Sequence, residues 1–283
     1  MEFGVDTWIG YPALDLEEIL LLLEAEGFRY IEYAYFHFQK LEEEGDLEEL
    51  EEYISMIHDI TSTTTLRPLQ LHAPFGDLQY LLSSADERER SRAIDIIARW
   101  IRYTSILETP IIVVHVAFTR PHIDKTYNRV VEKLVEINIS NINTLLKCAR
   151  EYGVKIALEN TLERWFGASP EDLILLIENT DPDYVGICFD TGHANVNRFD
   201  LGKFIERASR YIIATHVHDN DRIHDNHNPP FMGSINWEKV IKAFKQVRYP
   251  YPLLFEVVGD RKKEVVQNRV KLLRIISETL KTY

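Results

Sequence analysis

Seven short segments of this chain each carry a side chain able to bind a metal or move a proton, and each lies where a β-strand should run out. They are Leu71-His72-Ala73-Pro74, Val113-Val114-His115-Val116, Ala157-Leu158-Glu159-Asn160, Cys188-Phe189-Asp190-Thr191-Gly192-His193, Thr215-His216-Val217-His218-Asp219, Asp225-Asn226-His227 and Phe255-Glu256-Val257. One His after an apolar run is commonplace. Seven such sites between residues 72 and 256 imply one polar centre assembled from distant parts of the chain. His, Asp and Glu supply it without Cys, a donor set suited to Zn, Mn, Mg, Co or Fe.

Glu159, Asp190, His216 and Glu256 stand out, because each directly follows apolar residues. A carboxylate at the end of a buried strand is costly unless it is paired or metal-bound. Three acids and a His converging on one mouth would repel one another without a cation. The competing explanation is a structural network of ion pairs and hydrogen bonds. Asp190 and His193 form an Asp-x-x-His pair around Gly192, so His193 is a ligand, a hydrogen-bond donor to substrate, or a partner that orients Asp190. His216 and His218 point to the same side of an extended strand, so either can be the ligand. Arg222 follows in the loop, suited to an anionic or hydroxylated substrate or to simple surface charge. Asp225 and His227 can clamp a further metal, and His72 and His115 are either ligands or core histidines bonded to backbone.

The elements that must position these residues repeat as strand, then helix. Strands are expected at 2–8, 28–34, 69–73, 111–116, 154–159, 185–190, 212–217 and 253–258. Helices are expected at 15–26, 47–62, 86–107, 126–152, 170–178, 200–208, 236–247 and 263–281. Leu16, Ile19, Leu20 and Leu23 share one helical face, and Gly27 follows as a stop. Asp46 and Glu49 have the spacing of a capping box. Ser169-Pro170-Glu171-Asp172 combines an N-cap, a Pro in the first turn and acids at the positive helix end. Runs such as Ile111-Ile112-Val113-Val114 are continuously apolar, as strands of a parallel sheet covered on both faces should be. Eight β/α units predict an α/β fold, a (β/α)8 TIM barrel spanning 1–283 as a single domain. Such barrels place their sites at the C-terminal strand ends. His72, His115, Glu159, Asp190, His216 and Glu256 then close strands three to eight.

The length of 283 residues suits one barrel, and the 45% hydrophobic and 27% charged content is that of a globular protein. A net charge of −13 argues against a broad grip on a nucleic-acid backbone, which needs a basic stripe. Two cysteines, Cys148 and Cys188, and the lack of a basic-plus-apolar N-terminal leader predict a reducing, cytoplasmic setting. No apolar run reaches the length of a membrane span. There is no nucleophile elbow, P-loop or dinucleotide fingerprint. Trp8, Tyr33, Tyr35, Trp165, Phe166 and Phe231 fall near strand ends or loops and are candidates for lining a sugar pocket.

Taken together, His72-Ala73-Pro74-Phe75, Val114-His115, Leu158-Glu159-Asn160, Phe189-Asp190-Thr191-Gly192-His193, His216-Val217-His218-Asp219-Asn220, Asp225-Asn226-His227, Gly233-Ser234-Ile235-Asn236-Trp237 and Phe255-Glu256 resemble the xylose isomerase-like TIM barrels. That superfamily includes sugar isomerases, ketose 3-epimerases, inosose dehydratases and endonuclease IV. The epimerase-like branch implies one divalent metal, such as Zn, Mn, Mg or Co, on Glu159, Asp190, His216 and Glu256. It implies the two glutamates as the acid/base pair, with His193 and Arg222 on substrate oxygens. The endonuclease IV branch implies three zinc ions on His72, His115, Glu159, Asp190, His193, His216, Asp225, His227 and Glu256. The segment from His72 to Leu78, the His216-to-Arg222 spacing and the acidic composition favour a sugar or polyol substrate over DNA. Barrels of this kind are commonly homo-oligomeric, which the resemblance adds as an expectation.

Overall fold

In the computed structural model, which describes residues 1–118, 127–162 and 165–283, eight parallel strands form the expected barrel. They are β1 (Phe3–Asp6), β2 (Tyr30–Tyr33), β3 (Arg67–His72), β4 (Ile111–His115), β5 (Lys155–Glu159), β6 (Val185–Asp190), β7 (Ile212–His216) and β8 (Leu253–Phe255). Ladders join neighbours from β7 round through β1 to β8. The ring closes between β7 and β8 through a parallel bridge, Val217 to Phe255, where Val217 N donates to Leu254 O at 2.7 Å.

The eight expected helices are Leu16–Ala25, Leu47–Ser62, Glu87–Ile106, Tyr127–Tyr152, Pro170–Glu178, Leu201–Ala208, Trp237–Gln246 and Lys263–Lys281. The start expected at residue 126 lies outside the described residues. Local chemistry sets the boundaries. Asp15 and Glu18 complete a reciprocal capping box, and Asp46 and Ser169 each accept the backbone N–H three residues on. Gly27 ends the first helix at a φ of 82°, which favours a residue without Cβ. Strand β1 is shorter than expected because the Asp6 side chain accepts Trp8 N at 2.7 Å and starts a 3-10 turn, Thr7–Gly10. Strand β8 stops at Phe255, so Glu256 lies just past the strand, held by its N–H on Val217 O at 3.2 Å. Short helices Gln39–Glu44, Asp77–Leu81 and Thr191–Val196, all in loops after strands, had no clear periodicity to announce them.

Helix faces rich in Leu, Ile and Val pack on the outside of the barrel in one continuous core. Inside it, a second, smaller cluster of Ile111, Val113, Ala157, Cys188 and Ala214 fills the barrel beneath the site. Val113, Ala157, Cys188 and Ala214 lie two residues before His115, Glu159, Asp190 and His216, on the same side of their strands. Strand alternation therefore lifts a ring of His and acid side chains above a floor that is apolar where β4 to β7 contribute it. Among the described residues no helix is long and apolar enough to cross a membrane.

Candidate metal centre

Register brings the pieces together. His115 pairs with Glu159 across β4 and β5, and Asp190 pairs with His216 across β6 and β7. One donor atom from each of Glu159, Asp190, His216 and Glu256 lies within 4.8 Å of the others, and all four residues are buried. The His216 Nδ1 is 3.0 Å from Glu159 Oε1, 3.5 Å from Glu256 Oε2 and 3.8 Å from Asp190 Oδ2.

The remaining candidates flank this quartet on two sides. His72 Nε2 and His115 Nε2 approach Glu159 Oε2 at 3.3 and 3.0 Å, making a cluster of the three. His193 Nε2 and His227 Nε2 approach Asp225 Oδ2 at 3.3 and 2.8 Å, making another. All nine residues singled out as metal donors thus fall in one continuous patch. Arg222 does not join it. Its side chain is exposed, its backbone has a φ of 71°, and it does not line the cavity above the centre. His218 does join: its Nε2 is 3.0 Å from Asp190 Oδ2, and its ring stacks on His227 at 3.9 Å.

Several rings are oriented from behind. His72 Nδ1 donates to Ala73 O at 2.7 Å, His115 Nδ1 to Gln79 Oε1 at 2.9 Å, and His193 Nδ1 to Asn160 O at 2.8 Å. Each leaves Nε2 facing a carboxylate, as rings prepared to ligate do. Asn160 also clasps β6: its Oδ1 accepts Asp190 N at 2.8 Å and its amide donates to Asp190 O at 3.0 Å. Gly192 is required by closeness, since a Cβ there would lie 1.9 Å from His218 Cε1.

The donors fit a cation. Three buried atoms, His218 Nδ1, Asp225 Oδ1 and Glu256 Oε2, make no hydrogen bond. Unpaired buried polar atoms are costly, and a metal would satisfy them. The charge balance points the same way. Burial opposes the charge on Glu159, yet the neighbouring His216 and His115 hold its carboxyl well below the usual range. Burial likewise opposes ionised Glu256, and His216 and His227 lower it nonetheless. In return, burial opposes protonated His193, but Asp190 and Asp225 prevail and its pKa is pushed up from 6.5 to about 10. Protons on the rings thus supply the positive charge that the carboxylates demand.

A metal must displace such protons. Burial opposes protonated His216, but the neighbouring acids, Glu256, Glu32 and Glu159 among them, hold its pKa well above 6.5, so affinity at the quartet should rise with pH throughout the range in which that ring keeps its proton. The slope should be about tenfold per pH unit for each proton displaced. Calorimetric titration with Zn in buffers of different ionisation enthalpy would count the released protons. Affinity independent of pH would contradict this account.

The loop carrying Asp225 and His227 depends on Asp219, which the motif alone did not single out for this role. Its buried carboxylate accepts Trp237 Nε1 at 2.8 Å, Phe231 N at 3.1 Å and Ile235 N at 3.1 Å. Asp219→Ala would strand these donors, each at a cost of about 1–3 kcal/mol if left unsatisfied. A clear fall in unfolding free energy, with weaker metal binding, is the expected result of denaturant titration and chelator competition.

Above the centre lies a cavity of about 250 Å³ lined by both glutamates and by His72, His115, His193 and His227. One wall is aromatic: Trp8 stacks on Phe36 at 5.1 Å, and Phe36 meets Phe75 edge-on at 5.5 Å. Of the six aromatics expected to line a pocket, Trp8 lines this cavity, and Tyr35 lines an adjoining one that shares Phe36 and Phe75. Tyr33 is in the core bonded to Thr61, Tyr35 packs on Trp100, Phe166 is buried away from the cavity, and Trp165 and Phe231 are exposed. Phe36 lies in the 3-10 turn Tyr35–His37, which periodicity does not reveal.

Comparisons with known proteins agree with this architecture. The chain is 29% identical over 215 residues to the uncharacterized protein MJ1311 of Methanocaldococcus jannaschii, covering 74% of this chain and 69% of that one. It is 22% identical over 189 residues to a probable endonuclease 4 of Mycoplasma capricolum, covering 62% and 61%. A solved D-tagatose 3-epimerase-like protein superposes with a TM-score of 0.76 at 24% identity, covering 100% of this chain and 99% of that one. The IOLI protein, solved with a bound zinc atom, superposes with a TM-score of 0.76 at 18% identity, covering 100% and 97%. At those identities the two structures speak for the fold. Residues 20–281 match the family described as xylose isomerase-like TIM barrel, and the chain belongs to it.

Proposed function

We propose that this protein is a divalent-metal-dependent isomerase or epimerase of a sugar, sugar phosphate or inosose. The observation that carries this reading is the small cavity in which two buried glutamates face one space beside an aromatic wall. Its volume of about 250 Å³ lies below the roughly 300–1,000 Å³ of drug-sized sites, a fit for a compact polyol. Aromatic rings such as Trp8, Phe36 and Phe75 can cover the C–H faces of a sugar while its hydroxyls turn to the polar side.

Glu159, Asp190, His216 and Glu256 would hold the metal. When bound, the metal supplies the positive charge that polarises a substrate carbonyl and makes the adjacent C–H acidic. Glu159 or Glu256, both kept ionised by their histidine neighbours, removes that proton; the other glutamate, once it has taken a proton from solvent, delivers it back to carbon. His193, which lines the cavity, would donate to a substrate oxygen. In this reading Arg222 acts from the rim, since it is outside the cavity lining.

The test is to incubate the metal-loaded protein in D2O with a panel of ketoses, aldoses and inososes, and to follow deuterium at the carbon beside the carbonyl by NMR. Enzyme-dependent incorporation supports the reading. A folded, metal-loaded protein that exchanges no proton in any of them removes it.

One observation favours a second reading. The nine donors form overlapping groups among which His72–His115–Glu159, the quartet, and His193–Asp225–His227 together take in all nine. Three metals in such groups suit phosphodiester cleavage beside an abasic sugar. Metal-dependent nicking of a duplex with one abasic site, together with three metals per chain by elemental analysis, would establish it over the first.

A further inference from the structure

Beneath the quartet lies a carboxylate that belongs to none of the donor groups. Glu32, on β2, is fully buried. Its Oε1 is 3.1 Å from His216 Nε2, the ring nitrogen turned away from the centre. Its Oε2 accepts the Gln70 side-chain amide at 2.8 Å. Gln70 also donates to Thr215 O at 3.3 Å, which ties the pair to the residue before His216. Glu32 and Gln70 are register partners on β2 and β3, so the barrel itself fixes the arrangement.

We propose that Glu32 is a positioning residue for His216: it accepts the hydrogen bond from Nε2–H, which keeps the proton on that nitrogen and leaves Nδ1 free to bind the metal. The proposal rests on the reading that the quartet holds a divalent cation. A neutral imidazole carries one proton, so a nitrogen can ligate only when the other holds it. His216 Nδ1 faces Glu159, Asp190 and Glu256, and Nε2 faces Glu32. The second nitrogens of His72, His115 and His193 meet neutral acceptors, two backbone carbonyls and the Gln79 amide. A full carboxylate behind His216 makes its ring the stronger electron donor. It also explains why an acid occupies a fully buried inward position, where an unpaired carboxylate would be unfavourable.

The experiment compares Zn affinity, by competition with a chromophoric chelator, and the visible absorption of the Co-loaded protein. The wild-type protein, Glu32→Gln, Glu32→Asp and Gln70→Met would be measured. Glu32→Gln should bind Zn about 10–100-fold more weakly and change the Co spectrum. Glu32→Asp, which retains the charge, should recover part of that loss. Gln70→Met, which only loosens the hold on Glu32, should show a smaller loss, and it serves as the reporter should Glu32→Gln fail to fold. Unchanged Zn affinity and Co spectrum in the folded Glu32 or Gln70 variants would overturn the proposal while leaving the metal reading intact. A wild-type protein that binds neither ion would instead remove the metal reading, and this assignment with it.

Discussion

Glu159→Gln and Glu256→Gln should each reduce solvent-proton exchange into substrate by at least about two to four orders of magnitude, the usual worth of a positioned acid or base. Gln matches Glu in shape and keeps a carbonyl oxygen towards the centre, but it cannot take a proton. Both glutamates are buried and close to His216, so the substitution also removes a negative charge that its ring balances. Some metal affinity should be lost with it. Activity must therefore be measured at saturating metal, with elemental analysis confirming that the site is loaded. Cooperative thermal unfolding in both variants would show that the barrel survives. If both loaded variants exchange protons at the wild-type rate, the two-glutamate mechanism is wrong. If one does, that residue is a ligand alone and the other works with a different partner. The same variants would also impair phosphodiester cleavage, which is why proton exchange, rather than loss of function in general, is the readout.

Removing the metal should have the second largest effect. Dialysis against a strong chelator is expected to abolish turnover and to lower the melting temperature, and re-addition of Zn or Mn should restore both. The stability change follows from binding to the folded state alone: a ligand at about 1,000 times its Kd stabilises by about 4.1 kcal/mol. The metal-free protein should keep much of its fold, because protons on the buried rings partly replace the cation. Burial opposes protonated His227, for example, but Glu256 and Asp225 hold its pKa well above 6.5. Scanning calorimetry against free Zn concentration would measure the shift, and elemental analysis of the restored protein would count the ions. One per chain at full proton exchange supports the quartet acting alone. Three per chain would put the His72–His115 and His193–Asp225–His227 groups to work as well.

Most of the candidate centre was legible in the sequence for a simple reason. In a parallel barrel each strand is a short apolar run, so the residue that ends it at the catalytic rim is conspicuous when it is His, Asp or Glu. His72, His115, Glu159, Asp190 and His216 were visible in this way, and Glu256 lies just beyond its strand with the same effect. The order of the strands followed from the repeat of the elements. Helix limits at Leu47–Ser62 and Pro170–Glu178 followed from their caps, which act within a few residues.

What the tertiary structure decided lay in contacts between residues with no local pattern. Glu32 sits in Tyr-Ile-Glu-Tyr, a four-residue strand with no motif, and its meaning comes from a ring nitrogen 184 positions away. Asp219 was visible beside two histidines, but only the packed loop shows it accepting from Trp237, Phe231 and Ile235. Phe36 and Phe75 form the cavity wall because two loops converge, whereas Tyr33 and Phe166 were drawn into the core. Arg222 has a suggestive spacing, yet the turn at positive φ leaves its side chain outside the cavity lining. Sequence alone determined which strand ends carry donors, since that depends on alternation along one strand. Which donors share an oxygen, which ring nitrogen faces the centre and what lines the cavity depend on register and loop packing, and those are set only when all eight strands close.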